Sequence, residues 1–524
     1  MTSRIAEFAL IVMTISVRPV PITSRFNNPC KSRRAAPETR GGIPRPPPPL
    51  PGDRIQNTRG IESALGILSP DLHAELKAHW VSCRRIFRFY CHILLLGFGK
   101  HFADRDYRGQ RVKTNSIIRF VGVLACVGVL QVAAVSAATE SVLYRFRGGS
   151  TDGSLPEAGL INIGGTLYGT TSSGGAGGCA SGGAGCGTVF KVNPTTGTET
   201  VVYSFCSQGG ANCTDGDTPD ASLIDVGGTL YGTTYGGGAN LYGTVFKLTP
   251  STDTEKVIHS FIGVNGADPV ASLIDVGGTL YGTTSSTYSD FRYGPGLVIA
   301  LTPNGTHWTH KVLHRFASYP SDGYSPGAGL INLNGILYGT TSNGGGGTVY
   351  KVNPTTGAEA VVYSFCSQTN CTDGEGPAAS LIDVNGALYG TTELGGNNKY
   401  GTVFKVDPTT GAETVLHSFN GTDGAYPDAR LIAINGALYG TTSDGGGTGC
   451  FGQGCGTVFK VNPTTGDETV VYSFCSQSNC TDGAFPGAGL IDVGGALYGT
   501  TVEGGVSGCI LGGFGCGTVF KITP

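Results

Sequence analysis

Residues 139–524 are predicted to form an all-β, seven-bladed β-propeller of four-stranded antiparallel blades, closed by pairing of the N-terminal strand with the C-terminal strand. Three observations lead to this fold class. The pentapeptide LYGTT occurs seven times, starting at Leu167, Leu230, Leu280, Leu337, Leu388, Leu438 and Leu497, at spacings of 50 to 63 residues. Two further strings keep step with it: GTVFK (GTVYK at Gly347, GLVIA at Gly296) and VVYSF with its variants VLYRF, VIHSF, VLHRF and VLHSF. The array is also out of phase with its ends, since it opens on a lone VVYSF-type segment, Val142–Phe146, and finishes on a lone GTVFK-type segment, Gly517–Ile522. Joining those two ends completes the last unit and removes the exposed sheet edge that an open array would leave.

Each repeat reads as four short strands, A to D. In the second repeat, strand A is ASLIDV (Ala221–Val226), B is TLYGTT (Thr229–Thr234), C is GTVFKL (Gly243–Leu248) and D is EKVIHSF (Glu255–Phe261). Val, Ile, Tyr, Phe and Thr dominate, as pleated, half-buried segments require. Gly-Gly or Asn-Gly joins A to B, as at Gly227–Gly228 and Asn385–Gly386, which favours a two-residue hairpin turn with positive φ at both positions. NPTTG joins C to D, a turn opened by Pro and ended by Gly. Ala and Gly where strand A begins (Ala158-Gly159, Ala379) suit an innermost strand crowded around an axis. Four-stranded units at a period of roughly 50 residues indicate propeller blades.

The preceding residues are of a different kind. Residues 1–138 carry 20 Lys+Arg against 8 Asp+Glu, and residues 139–524 carry 14 against 29, so a basic leader precedes an acidic body. The body's charge argues against nucleic-acid binding, which needs a basic face. Residues 112–138 have the layout of a secretory signal peptide: basic Lys113 and Arg119, an apolar run Phe120–Val135, and small Ser136 and Ala138 ahead of a cut before Thr139. Residues 1–111, Arg- and Pro-rich without sustained periodicity, are expected to be disordered or to lie upstream of the true translation start, with Val112 a candidate start codon. The expected mature protein is secreted, extracellular or periplasmic, monomeric and without a membrane anchor, because the chain ends at Pro524 directly after a strand.

The units LYGTTSxGG…GTVFKVNPTTG resemble the GloVer-type tandem repeats of extracellular bacterial proteins, over essentially all of 139–524. The resemblance implies export and a repeat array; it implies no activity, cofactor or catalytic residue.

Twelve of the 16 cysteines fall in the repeats as six close pairs. Cys179/Cys186, Cys450/Cys455 and Cys509/Cys516 lie between strands B and C; Cys206/Cys213, Cys366/Cys371 and Cys475/Cys480 lie between D and A. Repeats lacking one member lack the other, which points to local disulfides and an oxidising compartment. Zinc is disfavoured by the absence of nearby histidine. In an up-and-down blade the B–C and D–A loops emerge on one face, so the cysteines and nearly all length variation share that face, where binding is expected.

The D–A loop repeats an Asp-Gly element at Asp152, Asp215, Asp322, Asp373, Asp423 and Asp482; one repeat offers Gly266-Ala-Asp268 instead. Asp-Gly is first a turn element, with the carboxylate capping backbone N–H groups. A ring of ion- or sugar-binding carboxylates is the alternative, although no EF-hand run is present. His259, His314 and His417 occupy the Tyr slot of strand D, and the recurring Lys of strand C is read as structural, snorkelling or paired with a strand A Asp. His307 and His310, three apart on a strand, should face opposite ways, so no metal site is expected there. The third repeat is irregular: its B–C loop, SSTYSDFRYGPG, places Tyr288, Asp290, Phe291, Arg292 and Tyr293 together, suited to stacking on a sugar or peptide.

No nucleophile elbow, P-loop, dinucleotide fingerprint or H-E-x-x-H occurs in the body. The expected function is an extracellular binding module for a polysaccharide or protein, with no cofactor and no catalytic residue assigned. A polysaccharide lyase or hydrolase with carboxylates near the central channel, and a structural surface or matrix protein, stand as alternatives.

Overall fold

The computed structural model describes residues 138–524 apart from 179–184, 209–211, 290–291, 318–321 and 507–514. The signal-peptide and upstream segments therefore lie outside the described residues. Within them the LYGTT strands each pair with the IDV-type segment before and the GTVFK-type segment after, and strand D adds outside C. The first blade is Ile161–Ile163, Thr166–Thr171, Thr188–Val192 and Glu199–Ser204. The second is Ile224–Val226, Thr229–Thr234, Thr244–Thr249 and Thr254–Ser260.

The A–B connections take the predicted backbone: Gly227 and Gly228 have φ of 63° and 83°, Asn385 and Gly386 of 56° and 83°. The Asx side chain in strand A locks this turn, as Asp225 Oδ1 accepts the Gly228 N–H at 2.8 Å. Strand A is shorter than the segment Ala221–Val226 suggested, because Ala221 is used differently. Its carbonyl accepts a hydrogen bond from Thr170 of the previous blade at 3.2 Å. The same bond, from the first Thr of LYGTT to the Ala before the next strand A, joins all seven blade pairs. Its last member, Thr500 to Ala158 at 3.1 Å, links the final repeat to the first.

Closure is completed at the outer edge. Thr139–Arg145 runs antiparallel to Thr518–Thr523, pairing Thr139 with Thr523 and Arg145 with Thr518, and so supplies the fourth strand of the seventh blade. Every C–D pair carries an irregularity at the same place, between Val189 and Phe190 in the first blade. Such bulges add right-handed twist, which lets a blade fan outward from the axis.

The repeat strings are a packing code. The Gly of LYGTT leaves room for the Phe of GTVFK: a Cβ at Gly169 would stand 2.6 Å from Phe190 Cζ. The Gly of GTVFK has φ near +92° at Gly187, where a side chain would meet Pro219 of the next blade and the Thr171 carbonyl. The second Thr of LYGTT hydrogen-bonds the Thr of GTVFK, as in Thr171–Thr188 at 2.8 Å. Each strand D ends in a buried Phe whose ring meets the next blade's strand C ring edge-on, as Phe146 meets Phe190 at 5.0 Å. In the third blade GLVIA places Ile299 where the others have an aromatic ring, and the junction closes with aliphatic side chains.

Three of the strand C lysines lie over the LYGTT tyrosine of their own blade: Lys405 over Tyr389, Lys460 over Tyr439 and Lys521 over Tyr498, at 5.6 to 5.8 Å. A ring face attracts the ammonium while the stem packs along the strand.

Candidate functional site

Both variable loops lie on one face because they pair with each other. Gly153–Ser154 of a D–A loop pairs with Ser173–Gly174 of the following B–C loop. Equivalent bridges form in the other repeats, such as Asp217 with Gly236 and Ala425 with Asp444. Four local disulfides pin this face, Cys206–Cys213, Cys366–Cys371, Cys450–Cys455 and Cys475–Cys480. Cys186 and Cys516 are also disulfide-bonded, and Cys179 and Cys509 lie outside the described residues. In the sixth blade the two bridges pack together, all four sulfurs lying within 4.8 Å of one another.

The six Asp-Gly carboxylates act first as turn organisers. Asp152, Asp215, Asp322, Asp373, Asp423 and Asp482 each accept a backbone N–H from the start of their own loop, from Arg147, Ser207, Ala317, Ser367, Asn420 and Ser476. Each also meets the Tyr or His of strand D. Tyr144, Tyr203, Tyr363 and Tyr472 donate to their Asp at 2.8 to 2.9 Å. His314 and His417 place Nε2 at 3.0 and 3.1 Å from Asp322 and Asp423. Asp268, in the loop lacking this element, accepts from Ser286 Oγ at 2.6 Å.

A third member of this cluster comes from the next blade. The Glu that opens each following strand D (Glu140, Glu199, Glu255, Glu359, Glu413, Glu468) buries Oε1 without a hydrogen-bond partner among the described residues. Burial first, and repulsion from the facing Asp, raise these carboxyls from 4.5 to about 7, and to about 8 for Glu255; at Glu468, His417 partly offsets the rise. At the remaining junction all three positions change together. Asn265 stands for Asp, His259 for Tyr and His310 for Glu, with the two imidazoles stacked at 4.4 Å. Burial, then His310, pushes His259 down to about 4. His307 is exposed while His310 faces inward, as expected of residues three apart on a strand. The Glu was missed in the sequence; its signal is a fixed place four residues before the Tyr or His.

The entry to strand A, beside the propeller axis, also differs between repeats. The residue after Ala in each Pro-x-Ala-x entry to strand A is Gly or Ser in six blades and Arg430 in one. These residues crowd against each other, as the Gly159 N–H donates to Ser222 Oγ at 2.9 Å and Gly489 packs on Arg430. Two positions earlier, just before the Ala, stand Glu157, Asp220 and Asp428. Burial, then repulsion from Glu157 and Asp217, raises Asp220 to about 8, and burial likewise raises Asp428 to about 7.

The third-repeat loop is a small hairpin, Thr287–Ser289 with Arg292–Gly294, pairing Tyr288 with Tyr293. The Tyr288 ring lies 5.4 Å from that of Tyr242 in the second blade's loop. Asp290 and Phe291 lie outside the described residues, as do the side chains of Arg292 and Tyr293.

Seven four-stranded blades of one repeat, closed by strand exchange between the two ends of the array, define a β-propeller repeat protein. The chain belongs to the Gloeobacter/Verrucomicrobia repeat family, whose pattern matches residues 126–291 and 285–520. No curated protein matches it. Among solved structures it is similar to the nidogen/laminin complex, at 13% identity and a TM-score of 0.34 over 54% of this chain and 89% of that one. It is similar to TolB from Acinetobacter baumannii at 12% identity and 0.34, over 54% and 58%. A putative 6-phosphogluconolactonase from Bacteroides uniformis gives 13% and 0.31, over 60% and 95%.

Proposed function

We propose that this protein is a secreted binding module that holds an extracellular ligand, a polysaccharide or a protein, on its loop-rich face. One observation carries the reading. All seven large apolar side chains exposed among the described residues (Tyr235, Leu241, Ile262, Val264, Leu394, Tyr400 and Phe451) lie on B–C or D–A loops. The opposite face, built from near-identical tight turns, has none of them. Apolar and aromatic groups kept in water on one side of a rigid scaffold are the usual mark of a docking surface. The disulfides on this face suit an exported protein. A glycan array probed with the purified, oxidised chain tests the reading, with a Tyr400→Ser/Phe451→Ser variant and a Tyr288/Phe291/Tyr293 triple Ala variant alongside. Selective binding lost in either variant supports a carbohydrate ligand and locates it; a folded chain that binds no glycan moves the reading to a protein partner.

A second reading, a polysaccharide-cleaving enzyme, is favoured by Asp220. Its carboxyl is raised to about 8 beside Glu157 and Asp217 at the channel mouth, the environment of a general acid. Cleavage of a bound polysaccharide that Asp220→Asn abolishes would support it.

A further inference from the structure

Three of the seven blade junctions differ from the other four in their chemistry, and two of the three share one donor set. Where four junctions join Tyr, Asp and Glu, those between the third and fourth and between the fifth and sixth blades join His, Asp and Glu. A phenol supplies one hydrogen-bond donor and is a poor ligand at neutral pH. An imidazole supplies a nitrogen lone pair.

In each of the two, one atom from His, one from Asp and one from Glu lie within 4.8 Å of one another: His314, Asp322 and Glu359, and His417, Asp423 and Glu468. The Nε2–Oδ2 separations of 3.0 and 3.1 Å match the edge between neighbouring ligands of a small divalent ion with bonds of about 2.1 Å. The Glu359 and Glu468 Oε1 atoms, like those of the glutamates at the Tyr junctions, are buried without a hydrogen-bond partner, and only at these two junctions does the carboxylate stand beside both an imidazole and an Asp. Two of the three side chains are fixed in place: the Asp by the backbone N–H of Ala317 or Asn420, the His ring edge-on to the buried Phe316 or Phe419 at 4.8 and 4.9 Å. The stacked junction, with Asn265, His259 and His310, has no carboxylate and lacks this donor set.

We propose that His314/Asp322/Glu359 and His417/Asp423/Glu468 are two equivalent sites for a divalent first-row transition metal of the zinc class, each bridging adjacent blades at the outer rim. One imidazole and two carboxylates neutralise the ion, and solvent completes its shell. Zinc or manganese suits such a donor set; calcium, which takes six to eight oxygens, does not. Bridging blades three to four and five to six, the ions would brace at the rim a scaffold whose blades are joined nearer the axis by the Thr-to-Ala hydrogen bonds.

The repeat itself supplies the control. Tyr is the native residue at this slot in four blades and donates to the same Asp, so His314→Tyr and His417→Tyr should fold. Zinc binding to the full oxidised chain is read by calorimetry as the difference between wild type and variants, which cancels any zinc taken by other residues. Oxidation matters because the four sulfurs of the sixth blade would compete if reduced. Each single variant is expected to lose one zinc per chain and the double variant two, with zinc raising the melting temperature of the wild type more than that of the double variant. Glu468→Gln, which leaves the His417–Asp423 contact intact, is expected to weaken its site at least tenfold. Full zinc stoichiometry in the double Tyr variant, or an unchanged affinity in Glu468→Gln, would overturn the proposal and leave His314 and His417 as hydrogen-bond donors only.

Discussion

Replacing Phe146 by Ala tests whether the first strand truly closes the last blade. Phe146 follows the strand Thr139–Arg145 and is fully buried, its ring edge-on to Tyr144 at 5.1 Å and to Phe190 of the first blade at 5.0 Å. Removing a buried Phe side chain costs about 3–5 kcal/mol through lost transfer energy and the cavity left behind. Its two ring contacts place it toward the upper part of that range, since each aromatic pair adds ~0.5–1.5 kcal/mol. Were the strand only a loose terminal extension, the same change would cost ~0.5 kcal/mol or less, as surface changes do. Urea unfolding of the full chain, followed by far-ultraviolet circular dichroism, gives the difference. Phe474→Ala is the internal standard, because Phe474 meets Phe520 at 4.9 Å at the equivalent place one junction earlier. Equal losses are expected. A near-zero loss for Phe146→Ala beside a loss of several kcal/mol for Phe474→Ala would refute closure by strand exchange.

Thr500→Val removes the hydrogen bond that joins the last repeat to the first and strands the buried Ala158 carbonyl; it should cost about 1–3 kcal/mol in the same assay, as should Thr283→Val within the ring. Gly187→Ala forces a side chain into Pro219 and the Thr171 carbonyl at φ +92°, and is expected to abolish soluble expression or to cost about 3 kcal/mol or more. The rim glutamates bind protons more tightly folded than unfolded, so their contribution is fully present below about pH 4.5 and is lost as pH rises through 7 to 8. Being partly open to water, each is worth no more than about 1 kcal/mol after screening. His259 acts in the opposite sense, since its lowered value makes stability fall as pH drops from 6.5 toward 4. Melting temperature measured from pH 4 to 9 should therefore peak in the mildly acidic range and decline toward pH 9; a steady rise to pH 9 would contradict the placement of the Glu side chains. Cys366→Ser/Cys371→Ser opens a loop of only a few residues and should cost about 2 kcal/mol, read by urea unfolding, while leaving the blade's strand order intact.

The repeat strings carried the architecture because each is a contact rule rather than a preference. LYGTT and GTVFK encode a Gly that admits a Phe, a Thr pair across strands B and C, and a Thr that reaches the next blade. A pattern written seven times, with its phase broken at the two ends, was enough to place the strands, the turns and the closure. It also placed four of the six expected loop disulfides, since paired cysteines appear and vanish together; the other two pairs each have a member outside the described residues. The sequence could not say where strand A begins, because Ala221 looks like a strand residue until its carbonyl is claimed by a neighbouring blade. Nor could it reveal the rim clusters. Asp423 and Glu468 are far apart in the chain and belong to different blades, and only the stacking of one blade on the next brings them to His417. The acidic channel mouth has the same origin. Glu157 and Asp220 are consecutive-repeat residues that become neighbours because strand A is innermost, and burial there, followed by repulsion from Glu157 and Asp217, raises Asp220. Local pairing is written in the order of residues; the chemistry between blades is decided by the radius at which they close.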